Sequence, residues 1–350
     1  MEFPTLSAAE VTARLAARRA EKPNNYFAFY SSWIGGITTD PAAMVLPMDD
    51  HMVHRGHGVF DTATLRDGKL CRLHAHLDRL LRSAAAARLS SPLPLSREEM
   101  VAAIRATCGA SGQRDASVRY WLSAGPGDFS FSPAGCHDAA GVFSVVVFGG
   151  FPMAAGGIAE VTVPAAVVPH KPPLLAGCKS NNYLLNVLTH LAARDGGGTF
   201  GIGVDERGYI TEGAVCNASF VTAAGVLLTA PFGNILQGCT LSRALEVAVP
   251  QLIAEGLLTA AEQRPITLEE AKAGSVEVFL TGGDTHVMPV VRWDGAPVGG
   301  CCATVCLRRV STPPDSLSSI ACVLQWQCLR HGAGNGRDRG EKGPVHFGCG

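Results

Sequence analysis

The chain has 350 residues, 47% of them hydrophobic and 17% charged, which is enough apolar content for two domains with sizeable cores. A formal net charge of −1 provides no overall basic field, so composition speaks against nucleic-acid and anionic-membrane partners and leaves small anionic ligands open. No apolar run approaches the roughly 18 residues a membrane-spanning helix needs.

Residues 1–24 read as a capped amphipathic helix. Its Glu2, Glu10 and Glu21 do not suit an acid-poor transit peptide, and it lacks the apolar centre of a secretory signal. A cytoplasmic protein is expected, with the chloroplast as the alternative. NNYFAFYSSWIGGITTD alternates aromatic and small residues around a Gly-Gly pair, a hairpin pattern. HGVFDTATLRDGKLCRL then reads as two strands joined at Asp67-Gly68, with Arg55, His57 and Phe60 at the entry to the first. HAHLDRLLRSAAAARL places Leu77, Leu80, Leu81 and Ala84 at helical spacing. SREEMVAAIRATCGA is a second helix, with Ser96 and Glu99 as a capping box. VRYWLSAG and GVFSVVVFG are the next strands, completing a small α/β domain at 25–150, and the Gly-, Pro- and Ala-rich stretch 151–157 reads as a linker.

A larger, strand-rich domain with helices is expected over 158–300, so the fold class is α/β (α+β) with two domains. Strand IAEVTVPAAVV leads through a proline-punctuated loop to Lys179 at the mouth of a helix. Two strands around Asp205 to Tyr209, a hairpin in LLTAPFGNIL and a helix from Thr240 follow. The helix TLEEAKAG, with Thr267 and Glu270 as another capping box, leads to strands VEVFLTG and VMPVVRWDGAPVG. Of twelve cysteines, the six before residue 300 are scattered and read as reduced thiols. Residues 301–350, rich in Cys, Gly and Arg, read as an atypical tail without order. Cys301, Cys302, Cys306, Cys322, Cys328, His331, His346 and Cys349 do not form paired zinc knuckles, and His51, His54, His57, His74 and His76 lack a nearby acid or thiol at ligand spacing, so no metal is expected.

The stretch from Cys178 to Arg243 carries the site chemistry. Lys179 is one of only six lysines and joins a Pro-rich apolar loop to an apolar helix. Burial disfavours an ammonium, and a deprotonated lysine amine forms a Schiff base with an aldehyde; the competing reading is a surface lysine at a helix start. Glu212, followed by Gly213 and Ala214, is either an exposed turn acid or a buried carboxylate that needs a cationic partner such as a protonated pyridine. Asn217 is a strand-entry residue or its companion. Gly238, Cys239 and Thr240 precede a helix, so either free backbone N–H groups hold a phosphate there or Thr240 is simply an N-cap. GxSxG, Walker and GxGxxG signatures are absent, which leaves hydrolase and nucleotide readings without support.

HRGHGVFDTATLRDGKL, HLDRLLRSA, RYWLSAGPGD, KSNNYLLNVL, ITEGAVCNASFV, ILQGCTLSR and VFLTGGDTHVMPV together resemble the class IV, or fold type IV, pyridoxal-phosphate aminotransferases over roughly residues 25–300. The likeness is to the group holding plant D-amino-acid transaminases and branched-chain-aminotransferase-like proteins, which also resembles aminodeoxychorismate lyase. The resemblance implies pyridoxal 5'-phosphate as cofactor and Lys179 as the Schiff-base lysine and proton carrier. It implies that Glu212 pairs with the pyridine nitrogen, that Arg79 clamps the phosphate, and that Tyr183 reaches the phenolic oxygen, four residues after Lys179 rather than five. Asn217, Gly238, Cys239, Thr240 and Gly283 fall in the same cofactor set, Gly283 standing where many relatives have a threonine. Arg55, His57, Phe60 and Arg119 fall near the substrate, with Arg119 the carboxylate contact. PGDFSFSP lacks the Arg-x-His carboxylate trap of the bacterial D-amino-acid enzymes. The activity implied is amino transfer between an amino acid, of D- or branched-chain type, and a 2-oxo acid, in a homodimer. The alternatives are release of pyruvate and 4-aminobenzoate from 4-amino-4-deoxychorismate, and a catalytically impaired homologue with an aberrant C-terminus.

Overall fold

The computed structural model describes residues 3–21, 25–89, 93–136, 141–150, 156–283 and 286–299. Most of the expected linker and the whole Cys-rich tail lie outside them. Two sheets organise the described chain. The first is built from β1 (Tyr26–Ser31), β2 (Gly36–Thr38), β3 (Gly58–Arg66), β4 (Lys69–Leu70), β5 (Ala116–Ser123) and β6 (Val142–Phe148). Its order is β2-β1-β6-β5-β3-β4, and every neighbouring pair is antiparallel.

Among the described residues, four α-helices belong to this half: α1 (Ala8–Ala20), α2 (His51–Arg55), α3 (Leu73–Ala86) and α4 (Arg97–Ser111). The expected apolar stripe of α3, with Leu77 and Leu80, joins Met100 and Ile104 of α4 in one core with Val118, Tyr120 and Val145 of the sheet. The Ser96–Glu99 capping box is present. The capping box of α1 is formed by Ser7 and Glu10, but that helix buries no residue, so capping and intrinsic propensity hold it rather than packing.

The second half comprises β7 (Ile158–Glu160), β8 (Thr162–Pro164), α5 (Pro173–Gly177), α6 (Leu184–Asp195), β9 (Ile202–Val204), β10 (Asn217–Thr222), β11 (Val226–Thr229), α7 (Cys239–Arg243), α8 (Val249–Ala254), β12 (Ala260–Gln263), α9 (Leu268–Gly274), β13 (Ser275–Gly282), β14 (His286–Trp293) and β15 (Ala296–Pro297). The larger sheet runs β12-β11-β10-β13-β14-β15, with β7 also paired to β14, while β8 and β9 form a separate parallel pair. A π-helical turn at Ala244–Ala248 joins α7 to α8.

Several elements differ from the sequence expectation, each for a local reason. Arg55 ends the short helix α2, whose N-cap Asp50 accepts the Met52 N–H, so it sits before the strand in a helical turn. The strand expected from IAEVTVPAAVV divides at Val161 because β7 and β8 join different sheets. Glu160 stands at that division, and its buried carboxylate accepts the N–H groups of Thr199, Phe200 and Gly201. Of the two strands expected around Asp205 to Tyr209, β9 precedes the turn and the far side makes only isolated bridges, Val204 to Ile210 and Tyr209 to Thr267; the turn is held by the Asp205 carboxylate, which accepts the Arg207 and Tyr209 N–H groups at 2.9 Å each. LLTAPFGNIL is not a hairpin: β11 pairs back onto β10, and beyond it Pro231 starts a turn closed by the Asn234 N–H. The second expected capping box is only half made, because the Glu270 carboxylate turns to Arg264 while Thr267 accepts the Glu270 N–H.

Candidate active site

Lys179 comes to the site on an extended segment, not on a helix. Helix α6 begins only after Tyr183, so the helix dipole has no bearing on this lysine. Its carbonyl accepts the Phe60 N–H at 2.9 Å, its N–H donates to Ser83 Oγ at 3.0 Å, and Ser180 bridges to Val59. The segment is thereby pinned between β3 and α3. Lys179 Nζ lies 3.1 Å from the Tyr183 hydroxyl and 4.7 Å from the centre of the Phe60 ring, which meets the Tyr183 ring edge to face.

Glu212 is buried, not an exposed turn acid. One carboxylate oxygen accepts Lys171 Nζ at 2.8 Å. The other accepts Asn217 Nδ2 at 3.2 Å and the Leu236 N–H at 3.1 Å. Burial disfavours the Lys171 ammonium, but Glu212 outweighs it and raises the lysine's pKa. Sequence patterning does not single out Lys171; the usable signal was a scarce lysine in the same apolar, proline-rich loop as Lys179.

Arg79 is also buried. Its Nε and Nη2 donate to the two oxygens of Asp61 at 2.8 Å each, and Nη1 donates to the Gln237 carbonyl at 3.2 Å. His76 Nδ1 meets Asp61 at 2.9 Å. Asp61 is fully buried, which would raise its pKa, yet Arg79 and His76 hold it well below the usual carboxylate range. Burial likewise opposes charge on His76, but the bond and charge of Asp61 draw its pKa up to about 9. Asp61 and His76 are site residues that hydrophobic periodicity hides, because each falls within an apolar strand or helix pattern.

Helix α7 opens at Gly238, and the backbone N–H groups of its first turn have no intrahelical acceptor. A Cβ on Gly238 would collide with Asn217 Oδ1, so any side chain there would displace Asn217 from the site. Burial raises the Cys239 thiol pKa, but His76 and Arg79 outweigh it and lower the pKa. Thr240 is not the N-cap; its hydroxyl donates to the Gly282 carbonyl at 2.9 Å.

These groups surround one space. A cavity of about 480 Å³ is lined by Phe60, Thr62, Arg119, Lys179, Tyr183 and Val215, among others. An adjoining recess shares Arg79, Lys179, Tyr183 and Gly283 with it and adds Glu212, Asn217, Gly238 and Cys239. Arg119 Nε donates to Thr62 Oγ1 at 3.1 Å, and its guanidinium lies 5.1 Å from the Phe60 ring centre. Arg55 and His57 do not line this cavity. Arg55 donates to the Phe129 carbonyl at 3.0 Å, and the two ring nitrogens of His57 face the Ala87 carbonyl and His51 Nδ1. Among the described residues, no group of three or more His, Cys, Asp or Glu is placed to hold a metal ion.

A family model described as amino-transferase class IV matches residues 58–293, which include every residue of the cavity and recess named above. The chain belongs to the class IV aminotransferases. It is 45% identical over 297 residues to a protein named D-amino-acid transaminase, chloroplastic, of Arabidopsis thaliana, covering 85% of this chain and 77% of the relative. It is 31% identical over 229 residues to a bifunctional aminodeoxychorismate lyase / D-amino acid transaminase of Mycobacterium tuberculosis, covering 61% of this chain and 76% of that one. A solved structure of a hypothetical aminotransferase from Mycobacterium tuberculosis, in a PLP-bound form, shares the fold with a TM-score of 0.66 and 25% identity, covering 81% of this chain and 97% of the other. This class IV aminotransferase is thus an enzyme with mixed helices and sheets. Among its described residues no helix is long and apolar enough to cross a membrane.

Proposed function

We propose that this class IV aminotransferase uses pyridoxal 5'-phosphate to move an amino group between an amino acid and a 2-oxo acid. The observation that carries the reading is the pairing of Lys179 Nζ with the Tyr183 hydroxyl at 3.1 Å, in a space that also holds a buried carboxylate and a buried guanidinium. The residues fit that cofactor. Glu212 offers an anion for a protonated ring nitrogen, Arg79 and the first turn of α7 offer donors for a phosphate, and Gly238 leaves the helix start without a side chain. Two buried polar atoms of the recess, Asn186 Oδ1 and Thr281 Oγ1, have no hydrogen-bond partner among the described residues, as expected of a lining shaped around a polar ligand.

When bound, pyridoxal phosphate supplies a carbonyl that takes up the amino group and a ring that draws electrons from the substrate α-carbon. Lys179 Nζ would hold the cofactor carbonyl and, as a free amine, would carry the proton at the substrate α-carbon. Tyr183, held against Phe60, orients that amine and would donate to the phenolic oxygen of the bound cofactor. Asn217 ties Glu212 to the loop before α7 and so fixes the distance between the ring-nitrogen end and the phosphate end. Arg119 receives the substrate carboxylate, while Phe60 and Val215 give the pocket apolar walls that exclude water.

The Arabidopsis relative's name supports a D-amino acid as the substrate, and the branched-chain aminotransferase names of other relatives support a branched-chain amino acid as the alternative. The Mycobacterium relative's name supports pyruvate release from aminodeoxychorismate as a second activity of the same lysine. The two sheets act as the domains expected at 25–150 and 158–300, with the cofactor between them, and the enzyme works as a homodimer. Of the two compartments expected, the chloroplast has the support of the Arabidopsis relative's name.

The test is spectroscopic and kinetic. The protein with pyridoxal phosphate should show a visible absorption band that is absent in Lys179→Ala, and D-alanine should yield pyruvate in the presence of 2-oxoglutarate. Absence of the band from the unaltered protein defeats the reading. Release of 4-aminobenzoate without any amino transfer replaces it by the lyase.

A further inference from the structure

The recess holds one hydroxyl that the assignments above leave unused. Thr281 is 1% exposed, and its Oγ1 has no hydrogen-bond partner among the described residues. It stands on β13 directly opposite Asn217 of β10, so the two side chains leave the sheet on the same face. Asn217 Oδ1 in turn occupies the space a Cβ on Gly238 would need, where α7 begins. Thr281 therefore faces the helix start and lines the same recess as Arg79, Cys239 and Gly283.

The neighbours leave a hydroxyl position to fill. Thr240 has given its proton to the Gly282 carbonyl, and Gly282 and Gly283 have no side chains. A buried hydroxyl without an acceptor is costly, and the cost disappears if a ligand oxygen accepts its hydrogen. Placement of that hydroxyl beside the donor-rich end of the recess selects an anionic oxygen over a neutral one.

We infer that Thr281 Oγ1 donates to the phosphate of the bound cofactor, joining Arg79 and the first turn of α7. The inference rests on the pyridoxal-phosphate reading above, and it assigns the hydroxyl to the phosphate rather than to the ring.

The experiment compares two cofactors that differ only in that phosphate. Cofactor-stripped full-length protein is titrated with pyridoxal phosphate or with pyridoxal, and binding is read from the visible band that Lys179→Ala abolishes. Thr281→Val, nearly the same shape without the hydroxyl, should bind pyridoxal phosphate about tenfold or more weakly and pyridoxal as well as the unaltered protein does. Thr281→Ser, which keeps the hydroxyl, should restore the phosphate-dependent affinity. Equal weakening toward both cofactors overturns the inference, because the hydroxyl then serves the ring or the fold. Unchanged affinity in Thr281→Val also overturns it while leaving the cofactor assignment standing. If the unaltered protein forms no band at all, the cofactor reading itself fails and this inference with it. Should Thr281→Val not fold, Thr281→Ala carries the same comparison, since both cofactors are measured on one protein.

Discussion

At the scale of the residue, the site is a set of buried charges that satisfy one another. Arg79, Asp61 and His76 form a compact network, and Lys171 and Glu212 form a second pair at 2.8 Å. Removing one member of such a pair leaves an uncompensated buried charge, which costs far more than the intact pair contributes. The first network has a pH signature. His76 has its pKa raised from the ordinary histidine value to about 9 in the fold, so its contribution is complete below the unfolded pKa and is lost as pH rises through about 9. Unfolding free energy measured by urea denaturation should therefore fall by roughly 3 kcal/mol from about pH 6.5 to about pH 9.5. His76→Gln should remove that slope. A flat profile for the unaltered protein would show that the ring is neutral in the fold.

At the scale of the element, the decisive positions are where strands and helices end. Lys179 precedes α6, Glu212 precedes β10, Gly238 caps α7, and Thr281 falls in the last two residues of β13. The elements provide rigid frames, and their ends carry the chemistry. Gly238 shows how tight this arrangement is. An added methyl would push Asn217 off its bonds to Glu212 and to the Leu236 carbonyl, disturbing both ends of the recess together. Gly238→Ala should lower stability by about 1–3 kcal/mol in chemical denaturation, the cost of overpacking a closed site. It should also lose pyridoxal phosphate on dialysis that the unaltered protein retains. Retention equal to the unaltered protein would mean that α7 shifts freely.

Much of the element pattern was legible from the residues. The stripe of α3 and the box at Ser96 and Glu99 depend on neighbours three or four residues apart, and both are present as read. The hairpin expected in LLTAPFGNIL failed for the opposite reason. Its first strand finds a better partner in β10, and nothing local records that preference. The same holds for IAEVTVPAAVV, whose strand-like text hides a passage from one sheet to another at Glu160.

At the scale of the whole molecule, the recess belongs to neither sheet alone. Arg79 and His76 arrive from α3 beside the first sheet, while Glu212, Gly238 and Thr281 come from the second half of the chain. Arg79 also donates to the Gln237 carbonyl across this boundary. A ligand seated there binds only when both halves are in place, so it should stabilise them jointly. Pyridoxal phosphate at one hundred times its dissociation constant should add about 2.7 kcal/mol to the unfolding free energy. Thermal unfolding monitored by fluorescence should then show a single transition moved upward. Stabilisation of only one of two separate transitions would place the ligand within one half.

The sequence by itself determined the family and the secondary structure set by local spacing, and it singled out Lys179, Glu212 and Arg79 as candidates, because helix stripes, capping pairs and motif order are written along the chain. Only the tertiary structure decided that Glu212 is buried, that Lys171 is its partner, that Asp61 and His76 stand behind Arg79, and that Arg55 and His57 turn away from the cavity. Burial and ion pairing depend on which distant segments meet, as Lys171 meets Glu212 across 41 positions of sequence. Thr281 is the extreme case: one threonine in an apolar strand, distinguished only by Asn217 opposite it and by a hydroxyl with no partner among the described residues.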